Sequence, residues 1–283
     1  MGHEYCGIVE EVGSAVTSVR RGQFVIGSFC LSDNTCPHCH FGFQSSCEQR
    51  EFMVGAQAPL ARVALADGTL VATDEIPGSD LIPSLLAVSD VLGTGWYAAD
   101  AARVKPGSTV VVVGDGAVGL MGVLAARQMR AERIIAMSRH EARQNLARDF
   151  GATDIVAERG DAGVARIKEL TKGIGADSVL ECVGTKDAMA QALQSTRPGG
   201  SIGFVGVPHD VELNCENMFW SQVSLQGGPA PVRRFLPDLI DLVLRGEIEP
   251  GKVFDLTLPL TEVAEGYRAM DERRAIKTLL QVA

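Results

Sequence analysis

The chain has 283 residues, 46% of them hydrophobic, and a formal net charge of −9. That length and apolar content are enough for one large or two smaller buried cores, which excludes disordered, fibrous and collagen-like folds. The acidic balance gives no electrostatic reason for a nucleic acid or anionic membrane as partner, and with no apolar stretch of roughly 20 residues and no secretory leader at Met1–Tyr5 a cytoplasmic protein is expected.

Residues 1–95 carry short β-type runs, Gly7–Val12 and Gln23–Ile26, separated by turns and a cysteine cluster, which predicts an irregular, mostly β domain. Seven cysteines are present, and Cys30, Cys36, Cys39 and Cys47 crowd together while the others stand alone. Clustering in a chain of this kind points to metal before disulfides. Asp33, Cys36, Cys39 and Cys47 place four anionic donors in one short loop, the number a tetrahedral structural zinc requires. Cys30, His38 and His40 are rival donors for the fourth position.

Residues 96–228 change pattern. Strands at Thr109–Val113, Arg133–Met137, Asp177–Cys182 and Ser201–Val205 alternate with helices at Ala117–Arg130, Glu141–Phe150 and Lys186–Ser195. Such alternation predicts a doubly wound parallel α/β sheet. In 229–283 a Pro-rich entry leads to a helix near Phe235–Leu244, a strand at Val253–Leu258, a helix at Thr261–Met270 and a last strand at Lys277–Val282.

Four consecutive valines run into Gly114-Asp115-Gly116-Ala117-Val118-Gly119, a GxGxxG that follows a strand and opens a helix. Gly114 makes the turn, Gly116 lets backbone approach a pyrophosphate, and Gly119 lets helix and strand pack closely. The helix start, with Ala117 and Val118, offers N–H groups and partial positive charge to phosphates. The second strand ends in Ser138-Arg139 rather than in the carboxylate that accepts from a ribose 2′-OH. A hydroxyl and a guanidinium suit a 2′-phosphate, so NADP(H) is expected, with NAD(H) as the alternative.

With these motifs in view, the chain resembles zinc-dependent medium-chain alcohol dehydrogenases over nearly its whole length. Gly2-His3-Glu4 with Gly7–Gly13 is similar to the family's GHE segment, the cysteine cluster to its structural-zinc lobe, and Ser89–Gly95 to the segment supplying a late catalytic-zinc ligand. Glu181–Gly184, Gly206–Pro208 and Glu265–Tyr267 fit as well. The resemblance implies a Rossmann cofactor domain beside an incomplete GroES-like catalytic domain. It implies His3 and Asp90 as catalytic-zinc ligands with Glu4 beside the metal, and Val183 and Val207 as cofactor contacts. It also implies an alcohol, aldehyde or ketone substrate and a homo-oligomer, dimer or tetramer. The family carries a segment before the GHE motif with a further cysteine ligand, so a truncated chain with a weakened catalytic zinc and impaired activity is expected. Two rival functions are a zinc-free quinone or enoyl reductase of the same superfamily and a non-catalytic NADP(H)-binding relic. Metal content and turnover separate the three.

Overall fold

Short strands interrupted by turns build the first part of the chain. The computed structural model describes residues 1–282. Strands β1 (Cys6–Ile8) and β2 (Phe24–Gly27) pair antiparallel. After the two-residue strands β3 (Cys30–Leu31) and β4 (Glu51–Phe52), which pair with each other, β5 (Leu70–Ala72) joins the far side of β2. As the central strand, β2 buries all four of its residues. Val9, Val19, Val25 and Leu70 form the small core beneath. The strand expected over Gly7–Val12 stops at Ile8. Beyond it the Val9 N–H still donates to Gln23 O at 2.9 Å, and the exposed Glu10 and Glu11 then carry the chain away from the sheet.

A one-turn helix α1 (Pro37–His40) starts with Pro37, whose fixed φ suits a first helical turn. It is followed by α2 (Ala66–Thr69), α3 (Ile82–Val88) and α4 (Val91–Ala101). By contacts the chain divides into two compact units, Met1–Gly93 together with the chain from Pro231 on, and Thr94–Ala230.

In the second unit the succession is β6 (Thr109–Val113), α5 (Ala117–Gln128), β7 (Arg133–Met137), α6 (Glu141–Phe150), β8 (Asp154–Val156), α7 (Gly160–Leu170), β9 (Ala176–Glu181), α8 (Lys186–Ser195), β10 (Thr196–Phe204), α9 (Cys215–Ser221) and β11 (Ser224–Gly227). Its six strands lie in the order β11-β10-β9-β6-β7-β8 and every pair is parallel. Renumbered from β6, that is the 3-2-1-4-5-6 order of a doubly wound dinucleotide fold, with its reversal between β6 and β9. Val110, Val111 and Val112 are fully buried because both faces of a parallel sheet are covered. Full burial of each such side chain contributes roughly 1.5–3 kcal/mol. The sequence pattern did not anticipate β8, α7, α9 or β11. The first unit is completed by α10 (Val232–Leu244), β12 (Leu256–Pro259), α11 (Val263–Asp271) and β13 (Thr278–Gln281), with β12 and β13 parallel.

Two glycines of the β6–α5 turn are constrained differently. A Cβ on Gly119 would lie 2.1 Å from Gly114 O, so the close packing of helix on strand admits no side chain there. A Cβ on Gly116 would meet nothing within 4 Å. Gly119→Ala is therefore expected to cost about 1–3 kcal/mol of stability by overpacking, and Gly116→Ala no more than about 1 kcal/mol as a change of N-cap residue. Equal losses in urea unfolding of the two variants would contradict this difference.

Candidate metal and cofactor sites

The lobe between β3 and β4 folds around sulfur. Helix α1 sets Cys36 and Cys39 one turn apart, and the short helical turn Gln44–Ser46 delivers Cys47 beside them. Cys36 Sγ lies 3.6 Å from Cys39 Sγ and 3.9 Å from Cys47 Sγ, and Asp33 Oδ1 lies 3.5 Å from Cys39 Sγ. A tetrahedron with metal–sulfur bonds of about 2.3 Å has edges of about 3.8 Å, so these spacings fit a single zinc ion. Four donor atoms, one each from Asp33, Cys36, Cys39 and Cys47, all fall within 4.8 Å of one another. The three cysteines are buried and form no disulfide.

The local backbone prepares this set for a cation. Asp33 Oδ1 accepts from Thr35 N and Cys36 N at 2.8 and 3.0 Å, and these bonds hold the Asp33 carboxyl down at about 2. Cys47 Sγ accepts from Asp33 N and Gln49 N, both at 3.4 Å. Burial pushes the Cys39 thiol up, and a coordinated metal is what would deprotonate a thiol in such a position. Among the alternative donors, Cys30 is buried with its thiol 3.8 Å from Gln44 O, and His38 and His40 are exposed. None of the three belongs to the four-donor group.

A second group gathers His3, Glu4 and Asp90, with one donor atom from each within 4.8 Å of the others. All three residues lie in the first unit. The backbone of the segment is pinned where Ala56 N donates to Gly2 O at 3.0 Å and Gln57 N to Met1 O at 2.8 Å. The His3 ring packs edge-on to Phe29, with centroids 5.8 Å apart. Asp90 occupies the break between α3 and α4, and its Oδ2 is 2.8 Å from His3 Nε2. This hydrogen bond outweighs burial and raises the imidazole pKa.

Glu4 Oε1 accepts from Lys277 Nζ, while Glu4 Oε2 is buried with no protein partner. Burial raises the Glu4 carboxyl and Lys277 opposes it. Lys277 is itself fixed in the chain, because Asp255 accepts from Ile276 N at 2.8 Å and from Lys277 N at 3.2 Å just before β13. An imidazole and two carboxylates, one of them with an unpartnered buried oxygen, form a nitrogen–oxygen donor set that fits a divalent zinc ion. Lys277 stands 273 positions from Glu4, and no local pattern marks it.

In the second unit the proposed cofactor residues line the carboxyl ends of the strands. Gly114 turns with φ +118°, and the open space above Gly116 is a cradle that a side chain would invade. The start of α5 carries no side-chain cap, so the first amides, including those of Ala117 and Val118, are not taken by a side-chain cap and suit phosphate oxygens. Val183, just past β9, and Val207, past β10, are 44% and 71% exposed, as aliphatic contacts for a ligand need to be. The turn bearing Val183 is held by Glu181, whose buried Oε1 accepts from Val183 N and Gly184 N at 2.9 and 2.8 Å.

Ser138 and Arg139 end β7 in different surroundings. Arg139 is exposed, whereas Ser138 is buried and its hydroxyl donates to Asp115 Oδ2 at 2.8 Å. Asp115 lies inside the glycine turn, and sequence reasoning assigned it no role. Arg143, on α6, approaches Asp115 Oδ1 at 3.5 Å and donates to Asp115 O at 3.2 Å.

Two family models match parts of the chain. The alcohol dehydrogenase GroES-like domain matches residues 1–77, and the zinc-binding dehydrogenase family matches residues 117–245. The chain is 32% identical over 99% of its length to zinc-type alcohol dehydrogenase B of Aspergillus flavus, of which it covers 68%. It is also 32% identical to the uncharacterized zinc-type alcohol dehydrogenase-like protein AdhB of Bacillus subtilis, covering 99% of this chain and 85% of that one. Among solved structures, alcohol dehydrogenase TADH from Thermus sp. ATN1 superimposes with a TM-score of 0.91 at 30% identity, covering 100% of this chain and 84% of that one.

The sulfur-rich lobe yields a test that separates its donors. Cys39→Ser is expected to abolish tight zinc binding, measured by elemental analysis after exhaustive dialysis, and to lower the melting temperature. Cys30→Ser is expected to keep the ion. Zinc retained in the first variant, or lost in the second, would overturn the donor set.

Proposed function

Because the chain belongs to the zinc-dependent medium-chain dehydrogenase family, we propose that it passes a hydride between an alcohol or carbonyl substrate and a nicotinamide cofactor, using zinc held by His3, Glu4 and Asp90. The observation that carries this proposal is the convergence of those three donors, Glu4 among them having one oxygen buried with no protein partner. When bound, zinc supplies a Lewis acid for the substrate oxygen, and the nicotinamide supplies the hydride acceptor or donor.

The chain's own residues provide position and charge balance. His3 and Asp90 supply one neutral and one anionic donor, and their existing hydrogen bond keeps the imidazole nitrogen and the carboxylate facing each other. Glu4 adds a second carboxylate, with Lys277 offsetting part of its charge and holding its orientation. Outer partners of this kind keep a donor in place, and their loss typically weakens metal affinity or activity ten- to a hundred-fold. A second, sulfur-rich zinc held by Asp33, Cys36, Cys39 and Cys47 stabilises the lobe and takes no part in chemistry. The two donor groups favour this function over a zinc-free reductase.

For the cofactor we propose NADP(H) ahead of NAD(H). Gly114, Gly116, Ala117, Val118 and Gly119 receive the pyrophosphate, and Val183 and Val207 flank the cofactor. Arg139, exposed at the end of β7, meets the 2′-phosphate beside Ser138. A cytoplasmic homo-oligomer, dimer or tetramer, completes the proposal. Among the described residues no helix is long and apolar enough to cross a membrane.

Asp90→Asn is expected to lower kcat/KM for alcohol oxidation about a hundred-fold or more, and Lys277→Met about ten- to a hundred-fold. Unchanged turnover in Asp90→Asn would remove the metal centre from the mechanism. NADPH is expected to bind roughly ten- to a hundred-fold more tightly than NADH, the size of one charge-assisted contact. Arg139→Ala should narrow that ratio in calorimetric titrations, and an unchanged ratio would show that Arg139 does not touch the phosphate.

A further inference from the structure

We infer that Asp115, inside the glycine-rich turn, is the chain's specificity-determining carboxylate for the adenosine ribose, and that its charge restrains the preference for NADP(H). This rests on the proposal that the second unit binds a nicotinamide dinucleotide at that turn. In a doubly wound fold the ribose is read where the second strand ends, by a carboxylate that accepts from the 2′-OH. Here the second strand, β7, is followed by Ser138, which has no carboxylate. The fold brings one to the same place from the neighbouring strand. β6 and β7 are in register with Val113 opposite Met137, so Asp115 and Ser138 emerge side by side at the carboxyl edge of the sheet.

The Asp115 side chain is held rather than loose. It is 14% exposed, its Oδ2 accepts from the Ser138 hydroxyl at 2.8 Å, and its Oδ1 lies 3.5 Å from Arg143 Nη1. The same guanidinium nitrogen donates to Asp115 O at 3.2 Å, which ties the carboxylate to the backbone of the turn. A carboxylate oriented in this way can accept from a ribose hydroxyl. A 2′-phosphate, which carries close to two negative charges at neutral pH, is repelled at the same position.

Arg143 sets the balance. Its charge is matched by Asp115, with side chains 12% and 14% exposed, and Arg139 is the guanidinium that remains to meet a phosphate. Neutralising Asp115 therefore acts twice, removing a repulsion and turning Arg143 toward the phosphate as a second cation. Removing Arg143 acts in the opposite direction, because it leaves the carboxylate unmatched.

The test is isothermal titration of the chain, Asp115→Asn and Arg143→Gln with NADPH and NADH. It is repeated with 2′,5′-ADP and 5′-AMP, which carry the adenosine half alone and are independent of the catalytic zinc. Asp115→Asn is expected to shift the NADPH-to-NADH affinity ratio about ten-fold toward NADPH, and Arg143→Gln about ten-fold toward NADH. The fragment pair should follow the same signs. Each variant binds two ligands in one pocket, so a general loss of folding cancels in the ratio, and the two variants fail independently. Ratios within two-fold of the starting chain in both variants, or a shift toward NADH in Asp115→Asn, would overturn the assignment of Asp115. The preference of the unaltered chain and its response to Arg139→Ala test the NADP(H) proposal separately, since the Asp115 effect is a change in ratio whichever cofactor is favoured at the start.

Discussion

Two carboxylates and an imidazole, with one donor atom from each within 4.8 Å of the others, are an electrostatic load that the first unit has to carry. Removing a carboxylate from water without compensation costs several kcal/mol. Lys277 compensates one oxygen of Glu4, and the His3 ring compensates Asp90, yet the second Glu4 oxygen stays buried with no protein partner. A bound divalent cation removes that deficit. The backbone bonds from residues 56 and 57, the helix break at Asp90 and the Asp255 latch before β13 all serve to hold the donors at this close range.

The two metal groups differ in ways that match different tasks. The lobe site has three buried thiols and one carboxylate at near-tetrahedral spacing, a closed set with no position left for a further ligand. The His3 group is richer in oxygen, and the His3 side chain is half exposed. A closed sulfur site stabilises a loop, whereas an open nitrogen–oxygen site can exchange ligands. The second unit has open space at Gly116 and a helix start with no side-chain cap, the two features on which the proposed pyrophosphate contact rests.

The doubly wound fold was legible because its signal is local: four valines, a glycine turn and alternating strands and helices. Strand β8 escaped because Asp154–Val156 is three residues long, too short for any periodicity to register. Helix α7 escaped because Gly160 and Gly163 lower its helical propensity. The cysteine lobe announced itself by spacing with Asp33 already in the set, whereas the placement of the rival Cys30 thiol against Gln44 O was not visible in the sequence. His3 and Asp90 carry no pattern of their own across 87 positions, and only the family resemblance joined them. Lys277 and Asp115 were not anticipated, the first because its partner lies at the other end of the chain. Asp115 was visible within the glycine motif, yet its meeting with Ser138 depends on β6 and β7 being neighbours in register.

The proposed function requires two independent zinc sites, one sulfur-rich and closed, the other on His3, Glu4 and Asp90. Competitive zinc titration of the metal-stripped protein against a chromophoric chelator tests it most directly, with Asp90→Asn measured beside the unaltered chain. Two classes of site, one tight and one weaker, are expected in the unaltered protein, and Asp90→Asn should abolish the weaker class while leaving the tight one unchanged. A single class of site in the unaltered chain, or two classes that persist in Asp90→Asn, would contradict it.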